Sequence, residues 1–198
     1  MNVLTCMREF KVPNLVFSSS CTVYGQADVL PVTEKTPRHE AESPYGNTKV
    51  MSEDIIRDLM RVEPDMKALA LRYFNPIGAH PTAFIGELPN GLPNNLIPYL
   101  TQTAIGIREQ LSVFGDDYNT PDGSPLRDYI DVVDLAQAHV VAIRRLLDGK
   151  NKKNYEFFNI GTGKALSVLE IIHAFERATG VKVNYKVVGR RAGDIEKV

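Results

Sequence analysis

Apolar positions along the chain switch between a helical period and short unbroken runs, and the switches mark out its elements. Val3, Leu4, Met7 and Phe10 recur at helical spacing until Pro13-Asn14 breaks the run. Leu15-Val16-Phe17 is a continuous apolar stretch, the pattern of a strand buried on both faces, and it runs into Ser18-Ser19-Ser20. A loop containing Pro31 and Pro37 follows. Ser43 and Pro44 then suit the N-cap and first position of a helix, where a missing N–H costs nothing. Val50, Ile55, Ile56, Leu59 and Met60 give that helix one apolar stripe, and Pro64 ends it. Residues 68–74 (ALALRYF) predict a second buried strand, closed by Asn75-Pro76. Helix followed by strand, twice over, predicts βαβ units and a parallel sheet.

The stretch 76–98 is rich in Gly, Pro and Asn and has little periodicity, so it is expected to be a long irregular segment of functional kind. Helical spacing returns over 96–107, and 111–115 and 127–132 read as strands. Asp134 is placed to cap a helix over 135–147. Residues 155–161 and 183–188 predict strands flanking a helix around 167–178, with Ser167 as its N-cap. The pattern is that of an α/β fold without internal repeats.

Composition narrows the chemistry. With 198 residues and 43% apolar content, the chain can bury a substantial core as one large or two small domains. A net charge of −1 gives no electrostatic case for nucleic acid or a membrane surface. No apolar run or basic leader marks a membrane span or signal peptide. Two cysteines, Cys6 and Cys21, without a CxxC spacing favour a reducing cytoplasm. Four histidines without HxxxH or HExxH spacing argue against a metal site.

Tyr45 and Lys49 stand four apart, on one face of the helix opened by Ser43. A free phenol has a pKa near ~10, and a neighbouring ammonium favours its ionised form. On spacing alone such a pair is common on solvated helix faces. Its context is more telling, because it follows a buried strand ending in three serines, where open α/β sheets bind ligands. A hydroxyl from Ser18, Ser19 or Ser20, a phenol and an ammonium make a proton-transfer set.

The motifs FSSSCTVYG, SPYGNTK, LRYFNPIGAH, LPNNLIPYL, VFGDDY, RDYIDVVDLA, FNIGTG and GRRAGD occur in the order seen in the UDP-glucose 4-epimerase family. The chain is similar to that family, within the extended short-chain dehydrogenase/reductase superfamily, over essentially its whole length. The resemblance implies a partial Rossmann-like, doubly wound parallel sheet with a smaller α/β nucleotide-sugar-binding domain. On that basis residues 1–80 hold the C-terminal half of the NAD-binding domain and 81–127 a substrate-binding segment. Residues 128–163 return to the Rossmann sheet, and 164–198 form a second, truncated substrate-binding segment. It implies Ser20 and Tyr45 as catalytic residues, with Lys49 holding the nicotinamide ribose and lowering the tyrosine pKa. Phe74 would touch the nicotinamide. Asn75, Asn95, Leu96, Ser112, Val113, Phe114, Arg127, Arg191 and Asp194 match substrate-pocket positions. Arg127 and Arg191 can neutralise a diphosphate, and Phe114 can cover a uracil face.

The implied reaction is the NAD-dependent interconversion of UDP-galactose and UDP-glucose in galactose metabolism. Tyr45 takes the 4-hydroxyl proton while C4 gives its hydride to NAD, and the 4-keto sugar turns over before reduction. A cytoplasmic homodimer is the implied assembly. The match begins in the middle of the family's fold, so the chain is expected to be a partial one. It is expected to lack the N-terminal glycine-rich NAD-binding unit and the extreme C-terminus, to bind NAD weakly, and to expose a sheet edge prone to association. A 4,6-dehydratase is disfavoured, because Cys21-Thr22-Val23-Tyr24 carries no carboxylate. An epimerase of another UDP-sugar and a silent UDP-sugar-binding or dimerising chain stay open. Gly161-Thr162-Gly163 reads as a tight turn, Cys21 as a small buried residue and His80 as loop packing. Asp131 stands where the family commonly has His.

Overall fold

In chain order the elements of the computed structural model are α1 (Asn2–Glu9), β1 (Asn14–Ser20), a 3-10 turn (Cys21–Tyr24), α2 (Pro44–Val62), β2 (Lys67–Tyr73) and β3 (Asn75–Ile77). There follow α3 (Leu96–Ala104), β4 (Leu111–Phe114), β5 (Leu126–Asp131), α4 (Val132–Leu147), β6 (Tyr155–Ile160), β7 (Ala165–Ser167), α5 (Val168–Thr179) and β8 (Tyr185–Val188). The structure describes residues 1–191 and 193–197. They divide into two units: Met1–Phe74 with Asp134–Ile160, and Asn75–Val133 with the chain from Gly161 onward.

The first unit is built on a parallel sheet of order β1-β2-β6. Its strands read as unbroken apolar runs because both faces are covered. On one face Leu4 and Met7 of α1 and Ile56 and Met60 of α2 pack against Leu15, Phe17, Ala68 and Tyr155. On the other, Ala142 and Leu146 of α4 pack against Val16, Leu69, Leu71, Phe158 and Ile160. Neighbouring residues of each strand thus serve opposite faces, as the pleat requires. This is the doubly wound arrangement expected from the sequence.

The second unit holds a three-stranded sheet of order β3-β5-β7 and a parallel pair β4-β8. Strand β3 runs parallel and β7 antiparallel to β5. Leu100, Leu111, Val113, Ile172 and Val183 form its buried core. Ser167 opens α5 with a capping box: its hydroxyl accepts from Glu170 N at 2.9 Å, and Glu170 accepts from Ser167 N at 2.7 Å. The Ser167 hydroxyl also donates to the Asp122 carboxylate. Asp128 accepts from Thr162 N, the Thr162 hydroxyl and Gly163 N at 2.9, 2.6 and 2.7 Å, so residues 161–163 form a tight turn.

Four elements differ from the sequence reading. Helix α4 starts at Val132, and Asp131 rather than Asp134 takes the capping role, accepting from Val133 N at 2.7 Å. Helix α3 ends at Ala104, because the chain turns at Gly106 with φ +78°. Strands β3 and β7 were not expected. In β3, Pro76 sits on an edge strand, where a missing N–H is tolerated.

Candidate active site

In the first unit, the end of β1 and the start of α2 are held by their own side chains. Ser20 caps the 3-10 turn, its hydroxyl accepting from Thr22 N at 3.2 Å. Ser43 caps α2 through Gly46 N at 3.1 Å, with Pro44 as the first helical residue. Gly46 lets this turn lie close to the strand end. A Cβ there would stand 3.3 Å from both the Thr22 carbonyl oxygen and the Ala41 Cβ. Tyr45 is thereby set in the first turn of α2 next to Ser20.

The three serines part company. The Ser18 hydroxyl lies 2.9 Å from His139 Nε2, and His139 Nδ1 lies 2.8 Å from the Leu135 carbonyl. A carbonyl can only accept, so Nδ1 carries the proton and Nε2 accepts from Ser18. The Ser19 hydroxyl donates to Glu53 Oε1 at 2.5 Å. Ser20 alone of the three acts on the Tyr45 phenol, favouring its ionised form. Ser18 and Ser19 are thus engaged with side chains away from Tyr45, and Ser20 is not.

Lys49 directs its ammonium at the Ser18 main-chain carbonyl, 2.8 Å away, and lies 5.5 Å from the Tyr45 ring centroid. The Tyr45 pKa is raised, first by partial burial and then by neighbouring Tyr73 and Cys21, against the lowering effect of the Ser20 hydroxyl. The Lys49 charge is aimed at the strand end. Phe74 is buried directly after β2, its N–H donating to the Ile160 carbonyl at 3.1 Å. An ammonium able to donate three hydrogen bonds, beside two hydroxyls, makes a donor set suited to a ribose diol and an adjacent alcohol.

The second unit contains a pocket of about 360 Å³. Asn75, Asn95, Leu96, Ser112 and Phe114 line it, together with Arg127, Arg191 and Asp194. Val113 does not: it is buried in the core, on the face of β4 opposite Ser112 and Phe114. Tyr99, Tyr129 and Leu92 line the pocket and were missed. Two of these carried a signal. Tyr129 follows Arg127 by two in a strand, and Tyr99 follows Leu96 by three in a helix, each on its predecessor's face.

Charge in the pocket is centred on a carboxylate. Asp194, only 9% exposed, lies 2.6 Å from Arg127 Nη2 and 3.4 Å from Arg191 Nη2. Arg127 Nη1 donates to the Leu126 carbonyl at 2.8 Å, while the Arg191 guanidinium lies 5.7 Å from the Phe114 ring centroid. Burial pushes the Tyr129 phenol up to about 12. Two arginines, an exposed aromatic face and side-chain amides suit a ligand with a planar ring and an anionic group.

Residues 1–161 match the model of the NAD dependent epimerase/dehydratase family. The chain is 51% identical over 195 residues to a mouse UDP-glucose 4-epimerase, covering 98% of the chain and 55% of that protein. It is 50% identical over 198 residues to rice UDP-glucose 4-epimerase 1, covering 100% of the chain and 56% of that protein. The crystal structure of the Bifidobacterium longum UDP-glucose 4-epimerase in complex with NAD+ and UDP superimposes with a TM-score of 0.93 at 45% identity, over 98% of this chain and 57% of that one. The Stenotrophomonas maltophila UDP-glucose-4-epimerase with bound NAD and formylated UDP-arabinopyranose gives 0.92 at 49% identity, over 98% and 56%. The chain spans about half the length of the curated relatives it matches.

Proposed function

The chain belongs to the NAD dependent epimerase/dehydratase family, and from that premise we propose that it carries the proton-transfer residues and nucleotide-sugar pocket of a UDP-glucose 4-epimerase. The observation that carries this reading is the Lys49 ammonium, 2.8 Å from the Ser18 carbonyl and 5.5 Å from the Tyr45 ring centroid, at the strand end that bears Ser20. Tyr45 is the acceptor for the proton of the sugar 4-hydroxyl, and Ser20 orients the same oxygen. Lys49 and Tyr45 would hold the nicotinamide ribose of NAD, with Phe74 at the nicotinamide ring. When bound, NAD+ supplies a reversible hydride acceptor for C4 and a positive charge beside the phenol. In the second unit, Arg127 and Arg191 exchange Asp194 for the diphosphate, and Phe114 covers the uracil.

Relatives crystallised with NAD and with UDP or a UDP-pentose support the cofactor and the ligand class. The assembly we infer is a cytoplasmic homodimer. Met51, Ile55 and Val62 of α2, with Val3 and Phe10, are exposed and offer an apolar surface for a second copy.

The test is conversion of UDP-galactose to UDP-glucose by the purified chain with added NAD+, beside a Tyr45→Phe control. Turnover abolished in the control supports the reading. Absence of turnover in the parent, with UDP still bound, reduces the chain to a UDP-sugar-binding module.

A further inference from the structure

Tyr45, Lys49 and Glu53 stand at intervals of four on α2 and so share one face. Each meets one of three consecutive residues at the end of β1. Tyr45 meets the Ser20 hydroxyl, Lys49 the Ser18 carbonyl at 2.8 Å, and Glu53 the Ser19 hydroxyl at 2.5 Å. The third contact is unlike the others, because Glu53 is 1% exposed and its partner Arg72, on β2, 3%.

Arg72 grips the carboxylate with two bonds, Nε to Oε1 at 2.9 Å and Nη2 to Oε2 at 2.6 Å. Burial alone would lower the Arg72 pKa; the hydrogen bonds and charge of Glu53 more than reverse this, so the guanidinium stays charged. Arg38 Nη1 lies 3.7 Å from Oε2 on a further side. Arg72 Nη1 donates to the Tyr24 hydroxyl at 3.0 Å, and Tyr24 donates to Asn159 Oδ1 at 2.7 Å. The Glu53 carboxylate is therefore tied to β1 and β2 and, through Tyr24, to the 3-10 turn and β6.

Stability alone does not call for this arrangement. Desolvating a buried ion pair offsets most of its attraction, and apolar side chains of similar volume often serve as well or better. What a doubly bonded carboxylate adds is direction. Apolar contacts let a helix slide or roll on a sheet, whereas the Ser19–Glu53 bond does not. Ser19 adjoins Ser20, and Glu53 shares a face with Tyr45, so fixing the first pair fixes the second. We propose that Glu53 is a positioning residue for the reaction, holding α2 in register so that the Tyr45 phenol meets the Ser20 hydroxyl. Its catalytic consequence rests on the epimerase reading above; its geometric consequence does not.

The test uses the full chain labelled with 13C at tyrosine Cζ, the Tyr45 signal being assigned with Tyr45→Phe. Glu53→Met/Arg72→Met replaces the ion pair by apolar side chains and leaves no lone buried charge. The double variant is expected to keep the parental circular dichroism spectrum and urea midpoint. Its Tyr45 signal should titrate above the parent's by as much as in Ser20→Ala, because the lowering effect of the Ser20 hydroxyl is lost. With NAD+ and UDP-galactose, kcat should fall about 100-fold, the effect of an ångström-scale misplacement, with KM within about threefold. A folded double variant whose Tyr45 titrates as in the parent overturns the proposal, as does a Ser20→Ala variant that leaves Tyr45 unmoved. Should the double variant not fold, Glu53→Gln decides by the same titration: an upward shift supports the proposal, and an unchanged signal overturns it. A parent without turnover removes the epimerase reading, and the titration still decides the positioning role.

Discussion

The ammonium of Lys49 donates to the main-chain carbonyl of Ser18 at 2.8 Å, over the face of the Tyr45 ring. The ammonium thus stands between the strand end and the ring, while Tyr45 is 53% exposed. Replacing Tyr45 by Phe should consequently leave stability within about 0.5 kcal/mol, as for other surface substitutions. UDP-galactose turnover should drop by roughly 10²–10⁴-fold, the usual contribution of a general base. Urea unfolding and a coupled assay for UDP-glucose check both halves. Loss of fold along with activity would remove the catalytic assignment.

Arg127 is already held by Asp194 at 2.6 Å before any ligand arrives, so it is oriented in advance. Arg127→Met should weaken UDP binding by about 10- to 100-fold, corresponding to the loss of charge-assisted hydrogen bonds. Arg127→Lys should recover only part of this, because an ammonium cannot form the two-pronged contact. Calorimetric titration with UDP reads the effect directly, and equal affinity for the parent and Arg127→Met would show that the diphosphate binds elsewhere.

Tyr129 brings a pH dependence of definite sign. Its folded pKa is about 12, above the ~10 of an unfolded tyrosine. Between those values the folded chain keeps a proton that the unfolded chain releases, so stability falls as pH rises. The contribution is complete below about pH 10, is lost through about pH 12, and amounts to roughly 3 kcal/mol. Urea midpoints followed from about pH 9 upward should decline less steeply in Tyr129→Phe than in the parent. Parallel curves would count against a buried neutral phenol.

Ser167 connects two parts of the second unit, donating to Asp122 while accepting from Glu170 N at 2.9 Å. Ser167→Ala removes the cap and leaves Asp122 short of a donor. The expected cost is about 2 kcal/mol, at the upper end for a lost N-cap. Ser167→Thr keeps the hydroxyl and should recover most of it. Thermal unfolding distinguishes the two.

How far the sequence could be read depended on the length of the element and on whether its partners were side chains. Leu15-Val16-Phe17 announced a strand covered on both faces, and Ser43-Pro44 announced a helix start; both were legible because the signal lies in the residues themselves. The start of α4 was not, since the cap Asp131 lies between the β-branched Ile130 and Val132-Val133 and is itself the last residue of β5. Three-residue strands such as β3 and β7 are too short to show a period. The choice among Ser18, Ser19 and Ser20 depended on what packs on each face of β1, which no local pattern records. The Lys49 contact was hidden for a related reason: its partner is a main-chain carbonyl, which every residue has. Val113 could have been set aside from phase alone, lying between Ser112 and Phe114 on a strand.

The register of the first unit's sheet also sets an order of assembly. Ala68 pairs with Leu15 upstream and with Tyr155 far downstream, the whole stretch Asn75–Val133 being made in between. Contacts this distant along the chain slow folding, because a large loop must close before they form. On the ribosome, at about 5–20 residues per second, β1 and β2 can meet well before β6 exists. Leu69 and Leu71 wait throughout for the α4 residues Ala142 and Leu146 that cover them. During synthesis one apolar face of this half-built sheet therefore stays uncovered until α4 has been made.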